Sequence, residues 1–422
     1  MLLNWLKIFV YHFKQNKLFS ILNILGLSIG IAGVIFSILY RNNEMQYDAW
    51  NPYKNDVYIN FTNVGNAGIW NTNPAPYAPT AKETIPEIEL YSYFQPYYYT
   101  PLIEYNGQKH IINNAFSADG NIFEIFPFDF IEGDPKTALQ EKDCVVLSES
   151  LAKEIFKQEK NLIGKTLKYN TKELVIKGVY RNDKKSSVNP KMIFNRILDK
   201  LDDNKDQWGN FNFGLFFKLK PNTDKTLVEK KLADIYMEHR TKYWAKEEGV
   251  SVEEYIKQHG TNKPILQPLS EYFLHGISRT LPEGKGNYQL MMIIMGLSTL
   301  ILILSLVNYI NLATANAIKR AKEVGVRKIV GAYKTQIIKQ FLFETAITTF
   351  IAILISLAVV ELVLPYYNDF LGKSLKMESS LFFYQLTLIF IVVVVFAAVG
   401  DGLHHRPDAA RRGVRRAARG CR

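Results

Sequence analysis

The sequence predicts a membrane protein with four transmembrane α-helices and a large α+β domain between helices 1 and 2. Three observations lead there. Overall composition is ordinary, with 48% hydrophobic residues and a mean hydropathy of −0.06. That average hides four strongly apolar runs, at 18–41, 289–318, 341–364 and 381–400. Each is close to the roughly 20 residues needed to cross a bilayer. Their charges, Arg41, Glu344 and Glu361, lie near the ends. A central charge would cost about 2.5–3.5 kcal/mol in lipid, so charge-free centres distinguish these runs from buried helices of a soluble fold. The second observation is the placement of Lys and Arg, which gives the runs a consistent orientation. The third is the long stretch 42–288, polar and aromatic, in which strand-like and helix-like patterns alternate.

Residues 1–17 carry Lys7, Lys14 and Lys17, whereas the far end of helix 1 has only Arg41, followed by Glu44 and Asp48. The positive-inside rule then places the N-terminus in the cytoplasm. The apolar core of this run is too long for a signal peptide and no Ala-x-Ala-like site follows it, so an uncleaved anchor is expected. Gly26 and Gly30 form Gly-x-x-x-Gly with Gly33 one turn on. Such small residues allow close helix approach in lipid, and the pattern serves packing within the chain or dimerisation equally well.

Residues 42–288 fall outside the cytoplasm on this topology. "DVYINFT" (56–62), "ELVIKGVYRN" (173–182) and "FGLFFKLK" (213–220) read as strands. "PNTDKTLVEKKLADIYMEH" (221–239) reads as a helix capped by Thr223 or Asp224, and "SESLAKEIFK" (148–157) as a helix capped by Ser148. The aromatic run "YSYFQPYYYTP" (91–101) is read as strand side chains packing a small domain, with Pro96 and Pro101 marking an edge.

Helix 2 (289–318) carries Ser305, Asn308, Asn311 and Asn316; the first three lie one turn apart and suit hydrogen bonds between helices. The segment 319–340 returns to the cytoplasm with a dense basic block, "RAKEVGVRKIVGA" (320–332). Helix 3 (341–364), an external loop (365–380) with only Lys373 and Lys376, and helix 4 (381–400) complete the order. The final 401–422 segment differs in kind. It holds seven Arg and no Lys, against seven Arg and 37 Lys before it. Two readings stay open, a basic cap that binds anionic lipid and a frameshifted, fused or vector-derived end; the abrupt switch favours the second, so the tail's charge is not read as a nucleic-acid signal.

Two cysteines, Cys144 and Cys421, are expected on opposite sides of the membrane, which leaves no disulfide framework. A Lys-rich chain of this kind suits a bacterial inner membrane with its large domain in the periplasm. Enzymatic signatures are not found. "NLIGKT" (161–166) ends like a P-loop, but Glu159 stands where the first glycine must be and would repel phosphate. The seven histidines show no metal-ligand spacing, and Gly-x-Ser-x-Gly is not present. No catalytic, cofactor or metal site is expected.

The stretch "NAIKRAKEVGVRKIVGAYKTQIIKQFLFE" (316–344) resembles the cytoplasmic segment of the FtsX-like permeases of the MacB type of ABC transporter subunit. "FKQNKLFSILNILGLSIGIAGVIFSILY" is similar to the first helix of that family. "FEIFPFDFIEGDP", "VVLSESLAKEIF" and "LIGKTL" (123–167) are similar to its periplasmic core domain. The resemblance implies a two-lobed periplasmic domain, one lobe assembled from segments either side of the other, with the units near 54–100 and 211–240 forming the divided lobe. It also implies a homo- or heterodimer of permeases served by a separate ABC ATPase. A periplasmic adaptor or outer-membrane component would be a further partner. The implied activity is mechanotransmission, in which ATP hydrolysis by the other chain moves the periplasmic domain. Arg320, Lys322, Glu323, Val324, Gly325, Val326, Arg327, Lys328, Gly331 and Ala332 are the coupling residues on this reading. The bases would meet acidic groups, the valines a groove, and Gly331 a helix end. Two alternatives remain: an FtsX-like regulator of cell-wall hydrolases, and a membrane-anchored sensor with a ligand-binding ectodomain. Relatives of this type often carry a second copy of the unit and no internal repeat is visible in this sequence, which leaves open that the chain is half of a longer permease.

Overall fold

A computed structural model describes residues 2–97, 99–157, 161–278, 281, 283, 285–329, 333–377 and 380–404. The chain divides into two units, Glu44–Asn287 and the helices that precede and follow it.

In the helical unit, α1 (Leu2–Gln15) and α2 (Lys17–Glu44) open the chain. The inserted unit begins with β1 (Val57–Val64), β2 (Ile69–Trp70), α3 (Tyr77–Thr84) and β3 (Ile88–Phe94). Then come β4 (Leu102–Tyr105), β5 (Gln108–Ile111), β6 (Ala115–Ser117), α4 (Ile122–Ile125), β7 (Phe130–Gly133), β8 (Cys144–Ser148) and α5 (Glu149–Phe156). β9 (Thr166–Tyr169), β10 (Lys172–Tyr180), β11 (Met192–Phe194) and α6 (Ile197–Asp203) follow. β12 (Gly214–Leu219), α7 (Lys225–Tyr236), α8 (Lys242–Glu247), α9 (Val252–His259), β13 (Asn262–Pro268) and α10 (Leu269–His275) close it. The chain then re-enters the helical unit as α11 (Tyr288–Ile329), α12 (Lys334–Leu371) and α13 (Ser380–His404).

The inserted unit has two sheets among the described residues. The first runs β13-β1-β12-β3, with β2 beside β1, and every pairing is antiparallel. The second runs β5-β4-β9-β10-β8-β11-β6, with β7 beside β10, and its β10–β8 and β11–β6 pairs are parallel. Its strands lie between 102 and 194, inserted between β3 and β12 of the first sheet. The divided-lobe arrangement is therefore a matter of strand order.

Period-two alternation explains the layering. Along β1, Val57, Ile59 and Phe61 enter a core shared by both sheets, while Tyr58 packs against the core under α3 and α7. In β12, Phe216 enters the shared core, and Leu215, Phe217 and Leu219 take the helix side. From the second sheet, Phe116, Cys144, Val146 and Ile193 reach the same shared core, whereas Val145, Leu147, Met192 and Phe194 pack with α5. Phe216 stacks on Phe94 at 4.5 Å and meets Phe126 edge-on at 5.4 Å. These aromatic contacts join the lobes.

Local chemistry fixes several ends. Ser148 Oγ accepts from the Leu151 amide at 3.2 Å and starts α5; Asp224, rather than Thr223, starts α7 by accepting from Thr226 N at 2.9 Å. The "LIGKT" segment is a turn with Gly164 at φ +86° that leads into β9. In the aromatic run, β3 forms the edge of its sheet and Tyr93 is buried, its hydroxyl donating to Ala75 O at 2.6 Å.

Among the described residues, three stretches are long and apolar enough to cross a membrane: Lys17–Glu44, Tyr288–Leu312 and Lys339–Leu371. The fourth expected span is helical, but its apolar stretch is shorter over the described side chains, Phe382–Phe396. The tail from 405 lies outside the described residues. In the bundle, Ile24, Leu27, Ile31 and Ile35 line one face of α2 and pack with Leu306, Ala352, Ile353, Val360 and Val393.

Candidate functional site

The apolar helix α11 does not stop where the basic block begins. It continues without a break from Tyr288 to Ile329, so Arg320, Lys322, Glu323, Val324, Gly325, Val326, Arg327 and Lys328 all lie on its last turns. A glycine inside a helix costs about 1 kcal/mol relative to alanine, and the helix runs through Gly325 despite it. Gly331 and Ala332 lie outside the described residues; α12 begins at Lys334 behind an extended Tyr333. The segment read from sequence as a coupling element, 320–332, is thus the end of the apolar helix α11 as far as Ile329.

The glycines of α2 face α11. A β-carbon on Gly30 would lie 2.8 Å from Ser305 Oγ and 3.1 Å from Leu302 Cα. One on Gly26 would lie 3.8 Å from Asn308 Nδ2, and one on Gly33 3.9 Å from Ser298. The glycine row and the polar row of α11 therefore meet within one chain, with Gly30 at the closest approach. Asn308 belongs to this contact; Asn311 is exposed, and the side chain of Asn316 lies outside the described residues.

Polar ties join the remaining helices. Ser356 Oγ of α12 donates to Ser28 O of α2 at 2.8 Å. Tyr309 OH of α11 donates to Thr345 Oγ1 of α12 at 3.2 Å. Asn42 and Gln385 exchange amide bonds between α2 and α13, at 2.8 and 3.3 Å. Buried side-chain hydrogen bonds of this kind hold helices together where lipid gives no hydrophobic drive.

Most of the segment 1–17, read from sequence as a basic lead-in, is the helix α1 (Leu2–Gln15). Trp5 packs its ring against Phe343 of α12, with centroids 5.5 Å apart. The signal available in sequence was the i, i+4, i+8 series Trp5, Phe9, Phe13, which marks one helical face.

Residues 20–235 match the MacB-like periplasmic core domain, and residues 295–400 match the FtsX-like permease C-terminal region. The chain belongs to the MacB/FtsX-type permease family. Relatives named macrolide export ATP-binding/permease protein MacB include one from Aggregatibacter actinomycetemcomitans, 22% identical over 79% of this chain and 48% of its own length. One from Salmonella typhi is 21% identical over 65% of this chain and 40% of its own. The chain spans about half the length of the curated relatives it matches. Among solved structures, the periplasmic region of MacB from Actinobacillus actinomycetemcomitans aligns with 52% of this chain and 93% of its own, at 16% identity and a TM-score of 0.35. A domain of a Porphyromonas gingivalis protein described as a permease aligns with 58% of this chain and 98% of its own, at 18% identity and a TM-score of 0.42.

In this MacB/FtsX-type permease the buried carboxylates of the periplasmic α+β domain include Asp48 and Asp119, whose burial sequence reading did not single out. Asp48 accepts from Ser186 Oγ and Ser187 N, both at 2.9 Å, and from Ser187 Oγ. It fastens the start of the domain to the loop after β10. Burial pushes its carboxyl up despite those donors. Asp119 accepts from Tyr93 N at 2.6 Å, Ser92 Oγ at 2.7 Å and Asn121 N at 3.1 Å. It ties β3 of one sheet to the segment after β6 of the other. Burial outweighs these three donors and raises its pKa to about 6. Asp119 also lines a cleft of about 560 Å³ with Tyr91, Glu83 and Asp202. Cys144 is buried, and Cys421 lies outside the described residues.

Proposed function

We propose that the chain is the permease subunit of an ABC-type exporter or mechanotransmission complex. ATP hydrolysis by a separate cytoplasmic ATPase would be coupled through residues 320–332 to movement of the periplasmic domain. The observation that carries this reading is the unbroken helix α11, which joins an apolar span to the basic segment with no intervening loop. A force applied at Arg320–Lys328 would be transmitted along hydrogen-bonded helix. On this reading α13 is the fourth span, the N-terminus is cytoplasmic, the membrane is the bacterial inner membrane, and two permeases assemble as a homo- or heterodimer. A periplasmic adaptor or outer-membrane component would meet the external domain. The chain itself would carry out no chemistry.

The test is a pull-down of the ATPase with full-length chain and with a variant deleted for residues 322–332. Loss of association in the variant is expected, with the variant still inserted in the membrane. Retained association at wild-type level would overturn the coupling assignment.

A further inference from the structure

We infer that α1 is a membrane-surface helix that binds anionic phospholipid headgroups and thereby grips the base of α12. This rests on the reading of α2 as a membrane-spanning helix.

The position of α1 follows from three contacts. Ser28 and Ser356 join α2 to α12, and further along the rings of Phe36 and Tyr367 meet at a tilt with centroids 4.8 Å apart, so the two helices run in the same direction. From Ser356 back to Phe343 is about 20 Å at 1.5 Å per residue. Were α1 a straight extension of α2, Trp5 would lie about 35 Å from Ser28 on the same rise. Trp5 instead touches Phe343. The chain therefore turns at Asn16, between the two helices, and α1 lies across the base of the bundle.

One face of α1, with Trp5, Ile8, Phe9, His12 and Phe13, is buried or half-buried. The other is open and still apolar: Leu3 is 75% exposed, Leu6 43% and Val10 42%. Their i, i+3, i+7 spacing makes a single stripe, and Lys7 and Lys14 run along its edge. The first 43 residues contain no Asp or Glu, and the one acid of α2, Glu44, closes that helix at the end far from Lys7, Lys14 and Lys17. An apolar stripe edged by lysines, on a helix crossing the foot of a membrane bundle, matches the bilayer boundary: side chains enter the acyl region and ammonium groups reach the headgroups. The uncompensated positive charge selects anionic headgroups. The contact with Phe343 falls within the first three turns of α12, directly after the coupling segment, so lipid held by α1 would restrain that end of the helix.

The test uses the full chain in nanodiscs, on a Cys144→Ala, Cys421→Ser background, with an environment-sensitive fluorophore at Leu6→Cys or, as a control, Ile29→Cys on the exposed face of α2. Doxyl-lipid should quench both labels. Adding phosphatidylglycerol to a neutral lipid should strengthen quenching at Leu6 alone, and Lys7→Gln with Lys14→Gln should remove that gain. Native mass spectrometry of the unlabelled chain should show co-purified phosphatidylglycerol falling on the order of fivefold per lysine removed. A Leu6 label open to aqueous iodide while Ile29 is lipid-quenched would overturn the inference and leave the spanning reading intact. Protection of Leu6 that comes only with added ATPase would overturn it in favour of a protein groove. An Ile29 label that lipid does not quench would overturn both.

Discussion

Gly30 and Gly26 belong to one motif, yet the structure gives them unequal roles. A methyl group on Gly30 meets backbone at Leu302 as well as the Ser305 hydroxyl, and backbone cannot swing aside. Gly30→Ala should destabilise the chain by about 1–3 kcal/mol, read as a lower melting temperature in detergent. Gly26→Ala should stay within about 0.5 kcal/mol. The motif was legible in sequence, since small residues four apart need no tertiary knowledge. Its partner and its tightest point were not, because Ser305 is remote in sequence. Asp119 shows the same limit more strongly, because its donors Ser92 and Tyr93 belong to another strand. Its pKa of about 6 lies above the ordinary Asp value, so the folded state binds the proton more tightly than the unfolded state. The associated stability is complete below about pH 4 and is lost as pH rises through about 6. Its size is on the order of 3 kcal/mol. Chemical denaturation between pH 4 and 7 should show this fall in the wild type and a flatter profile in Asp119→Asn.

At the scale of elements, capping is the most direct test. Ser148 Oγ holds the Leu151 amide at the first turn of α5, and Ser148→Ala should cost about 1 kcal/mol, measured as a shift in urea midpoint with unchanged slope. This cap, β1, β10, β12 and α7 were legible because each carries its own local signal of period, cap or turn. The hairpin β4–β5 was not, since its strands are short and one face is open to solvent. α1 was missed for a different physical reason. Its lysines were read as a topology signal, which masked two apolar faces on one short helix. As far as Ile329 the basic block after helix 2 has a continuous helical course, with Gly325 inside it, and its local composition carried no evidence of that continuity.

For the whole domain, the shared aromatic core has a thermodynamic consequence. Phe61, Phe94, Phe116 and Phe216 come from both sheets and Phe126 follows α4 directly, and all are fully buried. Lobes joined through such a core should unfold together. Phe216→Ala should cost about 3–5 kcal/mol and move a single transition, with tryptophan fluorescence and far-ultraviolet dichroism still coinciding. Two separated transitions in the wild-type domain would refute the shared core. The divided lobe was legible through the family resemblance. The face each strand turns to the other sheet was not, because residues on both faces of β8 and β11 are apolar.

The unbroken course of α11 also has a mechanical side. Its 42 residues make a rod about 63 Å long at 1.5 Å per residue. Pivoting such a rod by 5° about its midpoint would carry each end through about 3 Å, comparable to the helix shifts that accompany known switching transitions. On the proposed reading, a small stroke at one tip would be returned at the other with little lost to bending, and the position of the fulcrum would set the gain. Gly30, the α2 glycine nearest to α11, would then be the fulcrum, and it lies nearer the middle of the rod than either tip.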